Sequence, residues 1–480
     1  MALKIDHRLS AGTLVPKIHR LFEISAGKIR SLERTWNPSR GTPVFTVEGK
    51  YTSRGWTEWT QGFQFGSALL QFDASGEKEF LDLGRRKTFA LMATHVSHVG
   101  VHDHGFNNIS TYGNLWRLMR EGKIPFDERE KVYYELALKV SGAIQAARWT
   151  ALPQDRGYIY SFNGPHSLFV DTLRSLRSLA VAHQLGHVLM GERDGKISLL
   201  QRLCAHATLT AEHNVYYGEG RDIYDVRGRT AHECIFNLND GSYRCPNSQQ
   251  GFSAFSTWTR GLAWAVLGFA ELLEFFETLK ARRTVSSAPR PSRASAARHA
   301  PGTGRSTSSM SATLLRAATA TADFYIENSC ADGIPMWDTG APNLRRLGDY
   351  LGKPAVPFNR WEPVDSSAAA IAAQGLLRLG NHLLANRSQK AGNRYRQAGL
   401  TVARTVLDEP YLCADPKHQG LLLHSVYHRP NGWDYVARGQ QVPNGESSMW
   451  GDYHLRELAL LLLREAQGQT YPTFFAKPYA

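Results

Sequence analysis

The stretch VDSSAAAIAAQGLL, residues 364–377, decides the fold. An aspartate leads a run of small residues into leucines at helical spacing, the pattern of a helix that starts on a cap and packs closely. Five further clusters combine polar, aromatic and small residues: EWTQGFQFG (58–66), HDHGF (102–106), VDTLRSL (170–176), STWTRGLAW (256–264) and WGDYHLREL (450–458). Apolar periodicity predicts helices near 13–34, 59–73, 77–95, 106–121, 126–149, 167–187, 195–213, 256–280, 312–329, 365–381, 387–407 and 447–466. All six clusters lie at or just before the start of an even-numbered helix. In a closed ring of alternating outer and inner helices, the even ones run the same way and gather their N-terminal ends at one mouth. Unpaired N–H groups and a positive macrodipole there suit an anionic ligand. Strand-like alternation is scarce, so the expected fold is all-α, with the helices in pairs.

An ordinary cap or a small-residue contact accounts for any one cluster, but six at the same phase ask for more. Trp56, Trp59, Trp258, Trp264 and Tyr453 supply flat apolar faces, and Asp103, Asp171, Gln250, Arg260 and Asp452 supply charged or hydrogen-bonding groups near them. Sugars alternate C–H faces with hydroxyl edges, and a concave site lined in this way binds them by stacking and directed hydrogen bonds. Carbohydrate is the ligand class the residues favour.

Around these clusters, 480 residues with 42% apolar and 21% charged side chains exclude disorder and collagen. No stretch reaches the ~18 to 20 apolar residues of a spanning helix, and MALKIDHRLSAGTLVPKIHR at the start has no apolar block of signal-peptide length. A cytoplasmic protein with no membrane partner is expected. Cys204, Cys234, Cys245, Cys330 and Cys413 are scattered and show no C-x-x-C spacing, which favours structural thiols in a reducing compartment over a disulfide framework or a zinc site. The net charge of +13 invites a nucleic-acid reading. However, seven cations and no acid fall in residues 280–311, a run of Ser, Ala, Pro and Arg that holds more than half of the excess. This segment is expected to be a disordered insertion within a single domain of residues 1–480, and it lacks the aromatic residues that would stack on bases. No nucleic-acid partner is expected.

The clusters resemble the motifs of the unsaturated glucuronyl hydrolases, glycoside hydrolase family 88. WTQGFQFG is similar to that family's W-T-x-G-F-x-x-G, HDHGF to H-D-x-G-F, and VDTLRSL to I-D-x-x-x-N-L. QGFSAFSTWTRGLAW resembles Q-G-x-x-x-x-S-x-W-x-R-G-Q-A-W, VDSSAAAIAAQGLL resembles D-x-S-A-x-A-I-A-A-x-G-L-L, and WGDYHLREL resembles G-D-Y-x-x-x-E-A. The likeness runs in order over residues 55–465, interrupted by the basic insertion.

The resemblance implies an (α/α)6 barrel of six helical hairpins, acting without metal or organic cofactor. The implied substrates are oligosaccharides that polysaccharide lyases leave with a 4,5-unsaturated uronic acid at the non-reducing end. The implied reaction hydrates the enol ether and differs from the displacement at the anomeric carbon that paired carboxylates perform in ordinary glycosidases. Asp171 stands at the position of the family's catalytic acid and base, with a pKa expected to be raised by apolar neighbours, and Asp103 at that of its second aspartate. Gln250, Trp258, Arg260 and Trp264 match positions lining the uronate subsite, with Arg260 suited to neutralise the substrate carboxylate. Trp59 and Phe63 match nearby aromatic positions, and Phe162 in SFNG stands where the family has tryptophan. Gln249, Leu262, Arg244 and Ser175 depart from the pattern at positions usually held by His, Gln, His and Asn, and His232 is near enough in sequence to replace a lost histidine.

Two other readings stay open at this point. THVSHVGVHDHGF brings His95, His98, His102, His104 and Asp103 close enough in sequence to suggest a divalent-metal site in a metal-dependent hydrolase. The departures also allow a non-catalytic carbohydrate-binding protein on the same barrel. Oligomeric state leaves no trace in the sequence.

Overall fold

In a computed structural model that describes residues 2–55, 58–286 and 307–475, helices form in the predicted order. They are α1 (Ala11–Thr35), α2 (Gln61–Ser75), α3 (Lys78–Leu91), α4 (104–120), α5 (Glu128–Ala147), α6 (172–184), α7 (199–214), α8 (Thr259–Ser286), α9 (Thr307–Asn328), α10 (Ser366–Ala385), α11 (Gln389–Val406) and α12 (Met449–Ala466). A π turn at Ile109–Gly113 widens α4, another at Thr210–Asn214 ends α7, and α6 is broken between Ser175 and Arg177.

Burial sorts the helices into two layers. α12 is buried from Met449 through Arg464 and α10 from Ser366 through Gly380, so both bury every face. α3 buries only Phe80, Leu81, Gly84 and Thr88 and leaves the rest of its surface to solvent. The even-numbered helices pack each on the next, and α12 closes the ring on α2. The odd-numbered helices lie outside, α1 on α12, α3 on α2, α5 and α7 on α6, α9 on α8 and α11 on α10. This is the expected (α/α)6 barrel. Its inner helices approach closely because two motif glycines have no side chain: a Cβ on Gly62 would lie 2.3 Å from the Asn107 carbonyl oxygen, and one on Gly105 would lie 2.3 Å from that of Ser175.

Two expectations are corrected. The helix predicted over 167–187 begins as a strand, because Ser167–Phe169 pairs antiparallel with Glu233–Phe236, which in turn pairs with Tyr243–Asn247. Its short apolar run fits either periodicity, and a partner far away in sequence decides. The ends of the 280–311 insertion are also helical, since α8 runs to Ser286 and α9 starts at Thr307. Residues 287–306, like Trp56, lie outside the described residues.

The interior of the ring is ionic. Arg174 pairs with Glu271 at 2.5 Å and with Glu457 at 3.0 Å, and Arg177 lies 3.8 Å from Glu457. Burial pushes the Glu457 carboxyl up, but the two arginines outweigh it and hold the pKa at about 2. Such a network stabilises only as a complete set, since a partner left alone in the interior is an uncompensated charge.

Candidate active site

The leading ends of α2, α4, α6 and α8, with the loop before α12, enclose a cavity of about 300 Å³. Trp59, His102, Asp103, Phe162, Asp171, Gln250, Trp258, Arg260 and Trp264 line it, as do Tyr427, His428 and Trp433 from the loop. The volume and the mixture of aromatic walls with a few polar groups fit a small ligand.

Asp103 and Asp171 stand at the N-cap positions of α4 and α6, yet neither side chain makes a cap hydrogen bond. Asp365 does cap, accepting from the Ser367 N–H at 3.0 Å and the Ala368 N–H at 3.3 Å. Capping therefore accounts for the aspartate of VDSSAAA, whereas the other two line the cavity. Between them sits His102, which sequence reading placed only in a possible metal cluster. Its Nε2 lies 3.6 Å from Asp103 Oδ1 and 3.5 Å from Asp171 Oδ1. Phe162 stacks on the imidazole at 5.8 Å and Phe169 meets it edge-on at 5.6 Å. The backbone behind it is fixed as well: Gln145 Nε2 donates to the His102 carbonyl at 2.7 Å, while Ser175 Oγ accepts from the Gly105 N–H at 2.7 Å. Ser175 thus ties α6 to the start of α4.

The electrostatics correct one expectation. Burial pushes the Asp171 pKa up, as the sequence suggested, but the His102 imidazole 3.5 Å away outweighs burial and leaves the carboxyl below its ordinary value. Burial likewise pulls His102 down, and the charges of Asp103 and Asp171 lift it above the usual imidazole value. Both shifts favour the imidazole side for a proton shared by the pair.

Across the cavity, Arg260 is 1% exposed and its terminal nitrogens are fully engaged. Nη2 donates to Gln250 Oε1 and to the Tyr427 carbonyl, both at 2.8 Å, and Nη1 donates to Asp365 at 3.3 Å and to the Val426 carbonyl. The guanidinium lies between Trp258 and Trp450, at 4.6 and 4.8 Å from their ring centres. Arg260 is thus a clamp joining α8, α10 and the Val426–Tyr427 backbone, and its terminal N–H groups are not free for a substrate carboxylate as expected from the sequence.

Other expected residues divide. Trp59, Phe162, Gln250, Trp258 and Trp264 reach the cavity, whereas Phe63 is fully buried behind Trp59, against Phe106, Tyr453 and His454. Asp452 and Tyr453 are also core groups: Asp452 accepts from the Leu421 and Leu422 N–H groups and from Tyr51 Oη at 2.7 Å, and Tyr453 is fully buried. Gln249 lines the cavity, and its Oε1 is buried with no hydrogen-bond partner among the described residues. His232 lies behind Trp258 at 4.6 Å, and its Nδ1 accepts from the Gln249 and Gln250 N–H groups. Burial drives its pKa down to about 4, so it supports the Gln-Gln backbone as a neutral ring.

The histidine run disperses. His95 bonds Gln61 and Asn107, His104 bonds Ser141 and the His98 carbonyl, and burial brings both rings down to about 4. Among the described residues no group of three His, Cys, Asp or Glu side chains has the arrangement to hold a metal ion.

No protein-family model matches the chain. It is 24% identical over 434 residues to the unsaturated glucuronyl hydrolase of Bacillus sp. (strain GL1), covering 88% of this chain and 90% of that protein. It is 22% identical over 402 residues to the unsaturated glucuronyl hydrolase of Formosa agariphila, covering 83% of this chain and 78% of the relative. A crystal structure of an unsaturated glucuronyl hydrolase specific for heparin superposes with a TM-score of 0.68 at 20% identity, over 95% of this chain and 100% of the other. The resemblance carried by the motifs therefore holds along the chain in sequence and fold, and the protein is similar over most of its length to the unsaturated glucuronyl hydrolases.

Proposed function

We propose that the protein is a glycoside hydrolase that removes a 4,5-unsaturated uronic acid from the non-reducing end of oligosaccharides produced by polysaccharide lyases. The convergence of Asp103, Asp171 and His102 in a cavity walled by Trp59, Phe162, Trp258 and Trp264 carries this reading. The reaction adds water across C4=C5. Asp171 delivers a proton to C4, the ring oxygen supports the positive charge left at C5, and Asp171, now a carboxylate, takes a proton from the water that attacks C5. The resulting hemiketal opens and releases the leaving sugar. His102 is the reservoir, because it holds the proton that Asp171 must pass on, and Asp103 fixes His102 from the other side. The aromatic walls take the apolar face of the sugar ring and exclude bulk water from the charge that develops.

The free state of all five cysteines supports residence in a reducing compartment such as the cytoplasm, where this hydrolysis would complete polysaccharide degradation. Among the described residues no helix is long and apolar enough to cross a membrane. The test follows the ultraviolet absorbance of the unsaturated uronate with the protein and with Asp171→Asn. The reading requires fading with the first and at least ~100-fold slower fading with the second, as for removal of a general acid–base. Equal rates would remove Asp171 from this role, and no fading on any lyase-derived disaccharide would end the hydrolase reading.

A further inference from the structure

With the terminal nitrogens of Arg260 committed to protein acceptors, the substrate's carboxylate needs another donor, and the loop before α12 supplies one. His428 lines the cavity and is 4% exposed. Its Nδ1 accepts from the Asn431 N–H at 3.3 Å, which leaves the ring proton on Nε2. That Nε2 is buried and has no hydrogen-bond partner among the described residues. A buried donor without a partner is costly, and in a ligand cavity it marks where a ligand's acceptor belongs.

The loop is built to hold this ring. Asp434 accepts from the Tyr427 and His428 N–H groups at 2.5 and 3.1 Å, Arg260 grips the Val426 and Tyr427 carbonyls, and Trp433 lies against the imidazole at 4.9 Å. Arg260 also turns the amide of Gln250, since a guanidinium can only donate: Gln250 Oε1 faces the arginine and its NH2 faces away. Both donors stand beside the buried positive charge of Arg260, while the two carboxylates occupy the α4 and α6 side. The charge of Arg260 reaches the first corner, which makes it the better place for an anion among the described residues of the cavity.

We propose that His428, through Nε2–H, binds the carboxylate of the substrate's unsaturated uronate, with the Gln250 amide as its neighbour and Arg260 acting on both from behind. Burial and the charge of Arg260 drive the imidazole down to about 4, so at neutral pH His428 acts as an uncharged donor. This rests on the hydrolase reading for the identity of the anion, and the test separates the two.

The probes are a 4,5-unsaturated uronyl disaccharide and the same molecule with its carboxyl reduced to an alcohol, titrated by tryptophan fluorescence against Asp171→Asn protein to prevent turnover. Carboxyl reduction should weaken binding to this parent by ~10- to 100-fold, the range for a hydrogen bond to a charged group. Adding His428→Phe should shrink that factor to ~3-fold or less, and His428→Gln, which keeps a donor near Nε2, should restore most of it. If His428→Phe weakens both probes equally, or if carboxyl reduction costs the parent nothing, the assignment is overturned. Turnover by the unsubstituted protein is read separately: binding that follows this pattern without turnover would sink the hydrolase reading and leave His428 standing.

Discussion

Replacing Arg260 with methionine separates two roles for one buried cation. As a clamp, Arg260 neutralises Asp365, which is fully buried, and satisfies two backbone carbonyls before α12. Methionine keeps most of the stem's volume and removes the fork, so the carboxylate loses its countercharge in the interior. Removing one partner of such a pair costs about 3–5 kcal/mol. At about 2 cal/mol/K per residue, a chain of this length unfolds with an entropy near 1 kcal/mol/K, so the melting midpoint should fall by ~3–5 °C. Near-ultraviolet circular dichroism measures the melt, and substrate titration at a temperature well below it measures affinity. A variant that melts within ~1 °C of the parent yet binds the uronate ~100-fold more weakly would show that the guanidinium contacts substrate and would refute the clamp.

Other consequences are independent of Arg260. In the pH dependence of kcat/KM, the active form has one proton on the His102–Asp171 pair. Activity should fall at acid pH only below the ordinary carboxylate value, near ~4, and at alkaline pH only above the ordinary imidazole value, near ~6.5. His102→Gln frees Asp171 to the effect of burial, which raises its pKa, and leaves it as the sole proton store, so the alkaline fall should move at least ~1 unit to acid; an unchanged profile would remove His102 from the proton path. Gly105→Ala drives a methyl into the Ser175 carbonyl and should lower the melting midpoint or prevent folding, whereas Gly27→Ala in α1, with nothing within 4 Å, should stabilise by ~1 kcal/mol. EDTA should leave turnover unchanged, because the ring nitrogens of His95 and His104 are committed to protein partners; loss on chelation with recovery on adding a divalent metal would revive the metal reading.

The barrel was legible because six motif clusters share one phase along the helices, and the inner helices carry small residues where they touch. The strand Ser167–Phe169 was not, because a short apolar run acquires its identity from Glu233–Phe236, a partner that periodicity within one window cannot see. In the site, Asp103 and Asp171 could be named from motif position, but whether either one capped its helix depended on side-chain direction. Phe63, Asp452 and Tyr453 were placed wrongly for a related reason: a motif gives the position on a helix without saying whether that position faces the mouth or the layer behind it. His102 was hidden in a histidine run whose members turn out to have different neighbours. His428 carried no motif at all, since its place depends on Asp434 and Arg260 folding a loop that has no periodicity.

The position of bond making is the most direct test of the chemistry. Turnover of a defined unsaturated disaccharide in D2O, and separately in 18O-labelled water, can be read by NMR and mass spectrometry of the released products. Hydration of C4=C5 with proton delivery from Asp171 predicts one deuterium at C4 and the new oxygen at C5, with the glycosidic oxygen leaving on the released sugar. Label at the anomeric carbon with no deuterium at C4 would mean direct displacement, and would contradict the roles given to Asp171 and His102.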